Sequence, residues 1–257
     1  MVDIYQEIVA LKDRGEDAAL VTVVSAGGST PREAGAKMLV KTDGSIVGTI
    51  GGGNLELVAI KEALKAIRTG KSNRLDYGLQ PGEELGMICG GDVEIFIEPL
   101  LAEPTLYICG GGHIGLALAK MGRLLGFKIT VIDDRPEYAN TGRFPEAEQT
   151  RVSDYDKAFS GLNIDRSGYI IIVTHGHKGD TAALASALGT QARYIGMIGS
   201  KKKVASCYEQ LREKGFAREQ LDKVHAPIGL EIYSQTPEEI AVSIMAEIIA
   251  VRRGPSP

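Results

Sequence analysis

Apolar residues in the first third of the chain follow two periods in turn. Ile4, Ile8, Val9 and Leu11 recur at helical spacing, and the valine-rich run AALVTVVS (18–25) reads as a buried strand. GAKMLVKTDGSIVGTI carries two β-like runs around Asp43-Gly44, a dipeptide that tolerates the positive φ angles of a tight turn, and so predicts a hairpin. LELVAIKEALKAIRTG (55–70) predicts a helix stopped by Gly70, while RLDYG and DVEIFIEPL (92–100) predict further strands, the second alternating cleanly. From Leu106 the pattern changes. The strand-like runs LYICGG, KITVIDD, AEQTRV, GYIIIVTH and YIGMIGS are interleaved with helical stretches from His113 to Gly126, near Tyr155, from Asp180 and from Lys201. This alternation implies βαβ units and a parallel, doubly wound sheet. A last helix in TPEEIAVSIMAEIIAVRRG opens on a Thr236-x-x-Glu239 capping box with Pro237 in its first turn, and the pattern does not say which half it packs on.

Composition narrows the class. With 257 residues, 44% hydrophobic and 24% charged, the chain reads as an ordinary globular protein of two domains. LAEPT (101–105) is the expected linker, dividing the chain into 1–101 and 102–257. There is no apolar run long enough to span a bilayer, and the opening MVDIYQEIVALKDRGED is amphipathic and acidic, unlike a secretory or transit peptide; the expectation is a cytoplasmic protein without a membrane partner. A net charge of −4 without a basic, aromatic-bearing stripe argues against nucleic acid. Three cysteines (Cys89, Cys109 and Cys207) without a CxxC pair indicate neither a disulfide framework nor a zinc knuckle.

Two glycine triplets carry the candidate chemistry. In LYICGGGHIGLALAKMGRLLGFKITVIDD, Gly110, Gly112 and Gly115 form G-x-G-x-x-G between a strand and a helix, with His113 and Ile114 opening that helix and Asp133 about twenty residues on. The pattern is that of a dinucleotide loop, with pyrophosphate at the helix N-terminus, and makes the second half a Rossmann-like domain beside a smaller N-terminal α+β domain. Asp133, followed by Asp134, would accept from a ribose 2′-hydroxyl and favour NAD, whereas Arg135 would welcome the 2′-phosphate of NADP. VTHGHKGD and IGMIGSKKK end strands at the same crevice and add Thr174, His175, His177 and Asp180, then Gly199 and Ser200, as cofactor-binding or acid–base candidates. The histidine and aspartate spacing does not complete a dinuclear metal site, and no metal is assigned. The first triplet, Gly51 to Gly53 in GTIGGGNLE, follows a hairpin strand and precedes Asn54, which reads as the N-cap of the helix at Leu55.

VSAGGSTPREAGAKMLV, GTIGGGNLE, GMICGGDVEIFIEP, YICGGGHIGLAL, VIDDRPEYA, VTHGHKGD, YIGMIGSKKK, HAPIGLEI and TPEEIAVSIMAEI occur in this order and together resemble the XdhC/CoxI family, accessory proteins of xanthine dehydrogenase and related molybdenum hydroxylases. The resemblance runs from about Val21 to about Ile249. It implies a two-domain accessory protein of purine catabolism rather than a free-standing enzyme: one that binds the molybdenum cofactor (molybdopterin), works with a cysteine desulfurase in its sulfuration, delivers it to an apo molybdenum hydroxylase, and forms a homodimer. The family blocks bring in Ser29, Pro31, Arg32, Gly35 and Met38, then Gly51, Gly52, Gly53 and Glu56, and Cys89 with Gly90 and Gly91. Among these, the triplet backbone and the Arg32 fork suit an oxyanion, and Cys89 is the candidate thiol. Asn54 departs from the family, which commonly has cysteine after this triplet, and IYSQ departs from its small Gly-Ala pair. The glycine loop taken alone supports a second reading, an NAD(P)-dependent oxidoreductase of a small substrate.

Overall fold

The structure is a computed structural model that describes residues 3–28, 32–78 and 91–254. The chain divides into two compact units between Ala102 and Glu103.

The first unit comprises α1 (Ile4–Arg14), β1 (Ala18–Gly28), β2 (Lys37–Lys41), β3 (Ile46–Gly48), α2 (Gly53–Thr69), β4 (Asn73–Gly78) and β5 (Gly91–Leu100). Its strands form one antiparallel sheet in the order β3-β2-β1-β5-β4. The β2–β3 hairpin turns through Asp43-Gly44, where Gly44 has φ +83° and the Asp43 carboxylate accepts the Ser45 N–H. Helix α2 presents Leu55, Ala59, Ala63 and Ala66 to Val21, Val23, Ile95 and Ile97 of the sheet. These positions recur every three or four residues, and three of the four are alanines, so a single narrow face meets the sheet closely.

The second unit comprises β6 (Thr105–Cys109), α3 (His113–Leu124), β7 (Lys128–Asp133), β8 (Gln149–Val152), a 3₁₀ turn (Tyr155–Lys157), β9 (Gly168–Ile172), α4 (His177–Ala187), β10 (Tyr194–Met197), α5 (Lys201–Glu213), α6 (Arg218–Leu221) and α7 (Pro237–Arg253). All five strands are parallel, in the order β10-β9-β6-β7-β8. The order reverses between β6 and β9, which opens a crevice at their carboxyl ends. Every residue of β9 is buried, which explains its unbroken apolar run. One core, around Leu106, Ile108, Leu118 and Ile129, covers one side of the sheet; another, around Ile170, Ile172, Leu184 and Leu211, covers the other.

Helix α7 belongs to this second unit, a point the sequence pattern leaves open. Ala241, Ile244, Met245 and Ile248 lie in the same cluster as Leu106 and Leu118, and the expected Thr236–Glu239 capping box is formed. Helix α4 begins at His177, three residues before the expected Asp180, because the Asp180 N–H already bonds to the Gly176 carbonyl. No helix among the described residues is long and apolar enough to cross a membrane.

Removing a buried branched side chain leaves a cavity that such a packed layer cannot refill. Ile244→Ala is therefore expected to destabilise the C-terminal unit by about 2–5 kcal/mol. Denaturant unfolding followed by a probe in that unit measures it; a change within experimental error would show that α7 is not part of the core.

Candidate functional site

The glycine loop joins β6 to α3 and is fixed by three close approaches. Gly110 has φ +123°, and a Cβ there would lie 2.3 Å from the Val173 carbonyl oxygen. At Gly111 it would lie 2.1 Å from the Tyr138 oxygen, and at Gly115 2.1 Å from the Gly110 oxygen. Gly112 is different: its φ is an ordinary −70° and nothing lies within 4 Å of its missing Cβ. The loop is thus tight on every side but one, and the open side faces a cavity of about 280 Å³ lined by Gly112, His113, Ile114, Asp133, Arg135, Val173, Thr174, His175 and Pro237.

Hydrogen bonding repeats the division. The Gly110 N–H donates to the Ile132 carbonyl at 2.8 Å, and the Gly111 N–H to Oδ2 of Asp133 at 2.8 Å. Gly112 caps α3 without a side-chain acceptor, which leaves the first-turn N–H groups at Gly112, His113 and Ile114 pointing out of the helix end. Acceptorless donors at the positive end of a helix, beside a cavity, suit a phosphate oxygen.

Asp133 is fully buried. Its Oδ1 accepts from the Arg135 backbone N–H (3.1 Å) and Nε (2.9 Å), and its Oδ2 from the Gly111 N–H (2.8 Å) and Arg135 Nη2 (3.2 Å). Burial alone would raise this carboxyl, but the donors of Arg135 and Gly111 hold it below its ordinary value, and the same contact raises the Arg135 guanidinium. Arg135 also stacks 3.6 Å above the Tyr138 ring, and Arg143 Nε donates to the Gly111 carbonyl at 2.9 Å. Tyr138 and Arg143 lie in a stretch with neither helical nor strand period, and of the two only Tyr138 falls within a family block, VIDDRPEYA.

The strand-end candidates separate. His175 is half-exposed on the cavity wall, with Nδ1 3.3 Å from the Tyr155 hydroxyl and 3.8 Å from Asp134 Oδ1. Thr174 also lines the cavity, but its hydroxyl donates to Asp180 at 2.7 Å. Asp180 is buried, ion-paired with Lys203 and bonded to the Thr174 N–H, so it ties α4 to α5 rather than facing the first cavity. Ser200 caps α5 by accepting the Lys203 N–H and, with Asp180 and Lys203, lines a second cavity of about 450 Å³; Gly199 precedes it. His177 opens α4. Asp133, Asp134 and His175 bring ligand atoms within 4.8 Å of one another, but four donors already fill the lone-pair positions of Asp133 that a cation would need.

In the N-terminal unit Gly51, Gly52 and Gly53 have φ +131°, +83° and +65°. Three successive positive φ angles explain the triplet, since side chains disfavour each one. The turn wraps around Glu56, whose Oε1 accepts from the Ile50 N–H (3.1 Å), the Gly52 N–H (3.0 Å) and the Thr49 hydroxyl, while the Gly51 N–H donates to Thr49 Oγ1 at 3.1 Å. The triplet expected to hold an external oxyanion therefore already holds an internal one. Burial pushes the Glu56 carboxyl up, but the Thr49 and backbone donors outweigh it and leave it below its ordinary value.

Asn54 is not the helix cap that the sequence suggests. The cap is Gly52, because the strained turn starts the helix two residues early, and the Asn54 amide instead donates to the Tyr77 hydroxyl at 2.8 Å. Arg32 is exposed between β1 and β2; Ser29 and Cys89 lie outside the described residues. Cys109 and Cys207 are buried, and burial pushes both thiols up, Cys109 well up with help from the Asp133 and Asp180 carboxylates. Neither is a thiolate donor.

Comparisons with known proteins agree across both units. A family model described as the XdhC Rossmann domain matches residues 106–248, and one described as the XdhC and CoxI family matches residues 11–78. The chain is 36% identical over 255 residues to the uncharacterized protein YqeB of Escherichia coli (strain K12), covering 98% of this chain but 46% of YqeB. It is 26% identical over 271 residues to the molybdenum cofactor insertion chaperone PaoD of the same organism, covering 93% of this chain and 84% of PaoD. A crystal structure named as a xanthine dehydrogenase from Bacillus halodurans superposes with a TM-score of 0.55 at 22% identity, over 98% of this chain and 96% of the other, and shares the fold.

Gly115→Ala is expected to cost about 1–3 kcal/mol, because backbone must move, and Gly112→Ala to stay within about 0.5 kcal/mol; equal losses on thermal unfolding would contradict the open-sided loop. A folded-state carboxyl held low contributes stability that is complete above its unfolded pKa, about 4.3, and is lost as pH falls through the folded value. Acid unfolding should accordingly be less steep below about pH 4 in Glu56→Gln than in the parent chain.

Proposed function

Because the chain belongs to the XdhC and CoxI family, we propose that it is a maturation factor for a molybdenum hydroxylase, one that binds the molybdenum cofactor and hands it to an apo-enzyme of the xanthine dehydrogenase type. The observation that carries this reading is the opening at the start of α3 in the C-terminal unit: N–H groups at Gly112, His113 and Ile114 without a capping side chain among the described residues, a missing Cβ with empty space beside it, and a cavity of about 280 Å³. Molybdopterin ends in a phosphate, its dinucleotide forms carry a pyrophosphate that links the pterin to a nucleoside, and the donor set fits either. When bound, the cofactor supplies the redox-active molybdenum that the receiving hydroxylase needs. The chain's own part is to hold the phosphate end at the helix start and to keep the loop shaped by Asp133 and Arg143.

Support also comes from PaoD, a relative named as an insertion chaperone and matched over most of its length. In this reading a cysteine desulfurase provides the sulfur for sulfuration, and the protein works in the cytoplasm as a homodimer. The thiol such a step requires would be Cys89, since Cys109 and Cys207 are buried with raised pKa values. The oxidoreductase reading would use NAD or NADP in the same cavity, but it loses one of its acid–base candidates there, because Asp180 is paired with Lys203 and lines the second cavity instead. His175, another of its candidates, lines the cavity.

Purified protein incubated with free molybdenum cofactor is expected to retain it through gel filtration and to activate an apo-hydroxylase. Gly112→Asp, which places a carboxylate in the open space, is expected to fold with an unchanged melting temperature and to reduce retention at least about tenfold, the scale of one lost charge-assisted bond. Retention unaffected by this substitution would move the phosphate away from the glycine loop.

A further inference from the structure

The homodimer of the reading above needs a face, and we propose that helix α7 supplies it, the exposed stripe of one α7 packing antiparallel on the same stripe of a second copy of this chain. The inference depends on the homodimer of that reading and is independent of cofactor binding.

Helix α7 buries Ala241, Ser243, Ile244, Met245 and Ile248 in its own unit. On the opposite side Glu238, Val242, Ala246, Ile249 and Arg253 follow one another at intervals of three or four residues, which sets them in one line along the helix. Val242 is 48% and Ile249 40% exposed, with Ala246 half-buried between them and Ala250 exposed beside them. A helix face turned to water ordinarily carries polar side chains. The middle of this one carries none.

The stripe is its own complement. Val242 and Ile249 are equally far from the midpoint between Met245 and Ala246, and so are Glu238 and Arg253. A two-fold axis through that midpoint lays Val242 on Ile249 of the second copy and Glu238 against Arg253 of the second copy, each pair occurring twice. Ala246 then meets Ala246 at the axis, where a small side chain lets the helices approach closely. The ion pairs among the described residues include neither Glu238 nor Arg253. Their neighbours are engaged within the chain, Glu239 in the capping box and Arg252 on the Leu125 carbonyl. A parallel pairing would instead set Glu238 on Glu238 and Arg253 on Arg253, which like-charge repulsion disfavours.

The flanks obey the same symmetry. Leu230, 45% exposed, donates its N–H to the Ser243 carbonyl beside the first half of α7. Leu124, 87% exposed, precedes Leu125, whose carbonyl accepts from Arg252 Nη1 beside the last turn. At about 100° per residue, Ser243 and Arg252 border the stripe on opposite sides, so the two-fold brings Leu230 of one copy toward Leu124 of the other.

One helix with two flanks makes a contact at the low end of specific interfaces, about 1,200 Å² in total, so dissociation in the micromolar range is expected. Sedimentation equilibrium of the full chain measures it. Ile249→Asp, which would bury an unpaired carboxylate in the contact, is expected to keep the circular dichroism spectrum and weaken the dimer at least about tenfold. Glu238→Arg and Arg253→Glu, each creating two like-charge pairs per dimer, should each weaken it about tenfold, and the double variant should return to within about threefold of the parent chain. That recovery is specific to the antiparallel register, because at positions that do not meet the two losses would add. A dimer unaffected by Ile249→Asp, or no recovery in the double variant, would overturn this face while leaving the homodimer standing. A parent chain that stays monomeric at about 100 μM would overturn the face and the homodimer together. Cofactor retention is read separately on the same preparation, so its failure would remove the maturation reading without touching the dimer result. If Ile249→Asp fails to fold, the charge exchange decides the matter.

Discussion

The buried carboxylate of Asp133 is the contact on which the C-terminal site depends. Taking a charge out of water costs several kcal/mol, and that cost is offset only when donors surround it. The four donors here come from two places, the glycine loop and the residue two positions beyond the strand. One side chain thereby ties the end of β7 to the turn after β6 and fixes the guanidinium that stacks on Tyr138. The shape of the loop is set by bonds within the chain itself, and those bonds fix the direction of the first N–H groups of α3.

The two glycine triplets apply the same physics to different ends. In each, backbone that a side chain would obstruct wraps a carboxylate of the chain itself, Glu56 in the first unit and Asp133 in the second. They differ in what remains open. Glu56 reaches back from the first turn of its own helix and closes the N–H groups of the turn, with the Gly51 N–H taken by Thr49. Asp133 comes from a neighbouring strand and takes only Gly111, so the start of α3 is left facing the cavity. The first triplet is closed by internal bonds, whereas the second leaves the start of α3 beside a cavity.

The chain belongs to the XdhC and CoxI family, whose models match both units. Asp180, which resembles a catalytic aspartate when read beside His175 and His177, is spent on joining α4 to α5 through Lys203. The wall around Gly112 instead offers open space beside the first-turn N–H groups of α3.

By itself the sequence determined the elements and their class. The period of the apolar residues shows whether a segment is helix or strand, G-x-G-x-x-G after an apolar strand marks the switch-point loop, and Asp43-Gly44 marks the hairpin, because each of these rests on bonds between near neighbours. Tertiary structure decided what the polar residues do. Asn54 has the chemistry of a cap, but three left-handed glycines begin the helix at Gly53 and turn its amide to Tyr77. Asp133 has the position of a ribose acceptor, but Gly111 and Arg135 fill its lone pairs. The Arg143 bond, the Lys203–Asp180 pair and the docking of α7 on the second unit join segments that no local period relates. A side chain's propensity is a property of its own atoms, whereas its function depends on which donors reach it first, and those are supplied by segments distant in sequence.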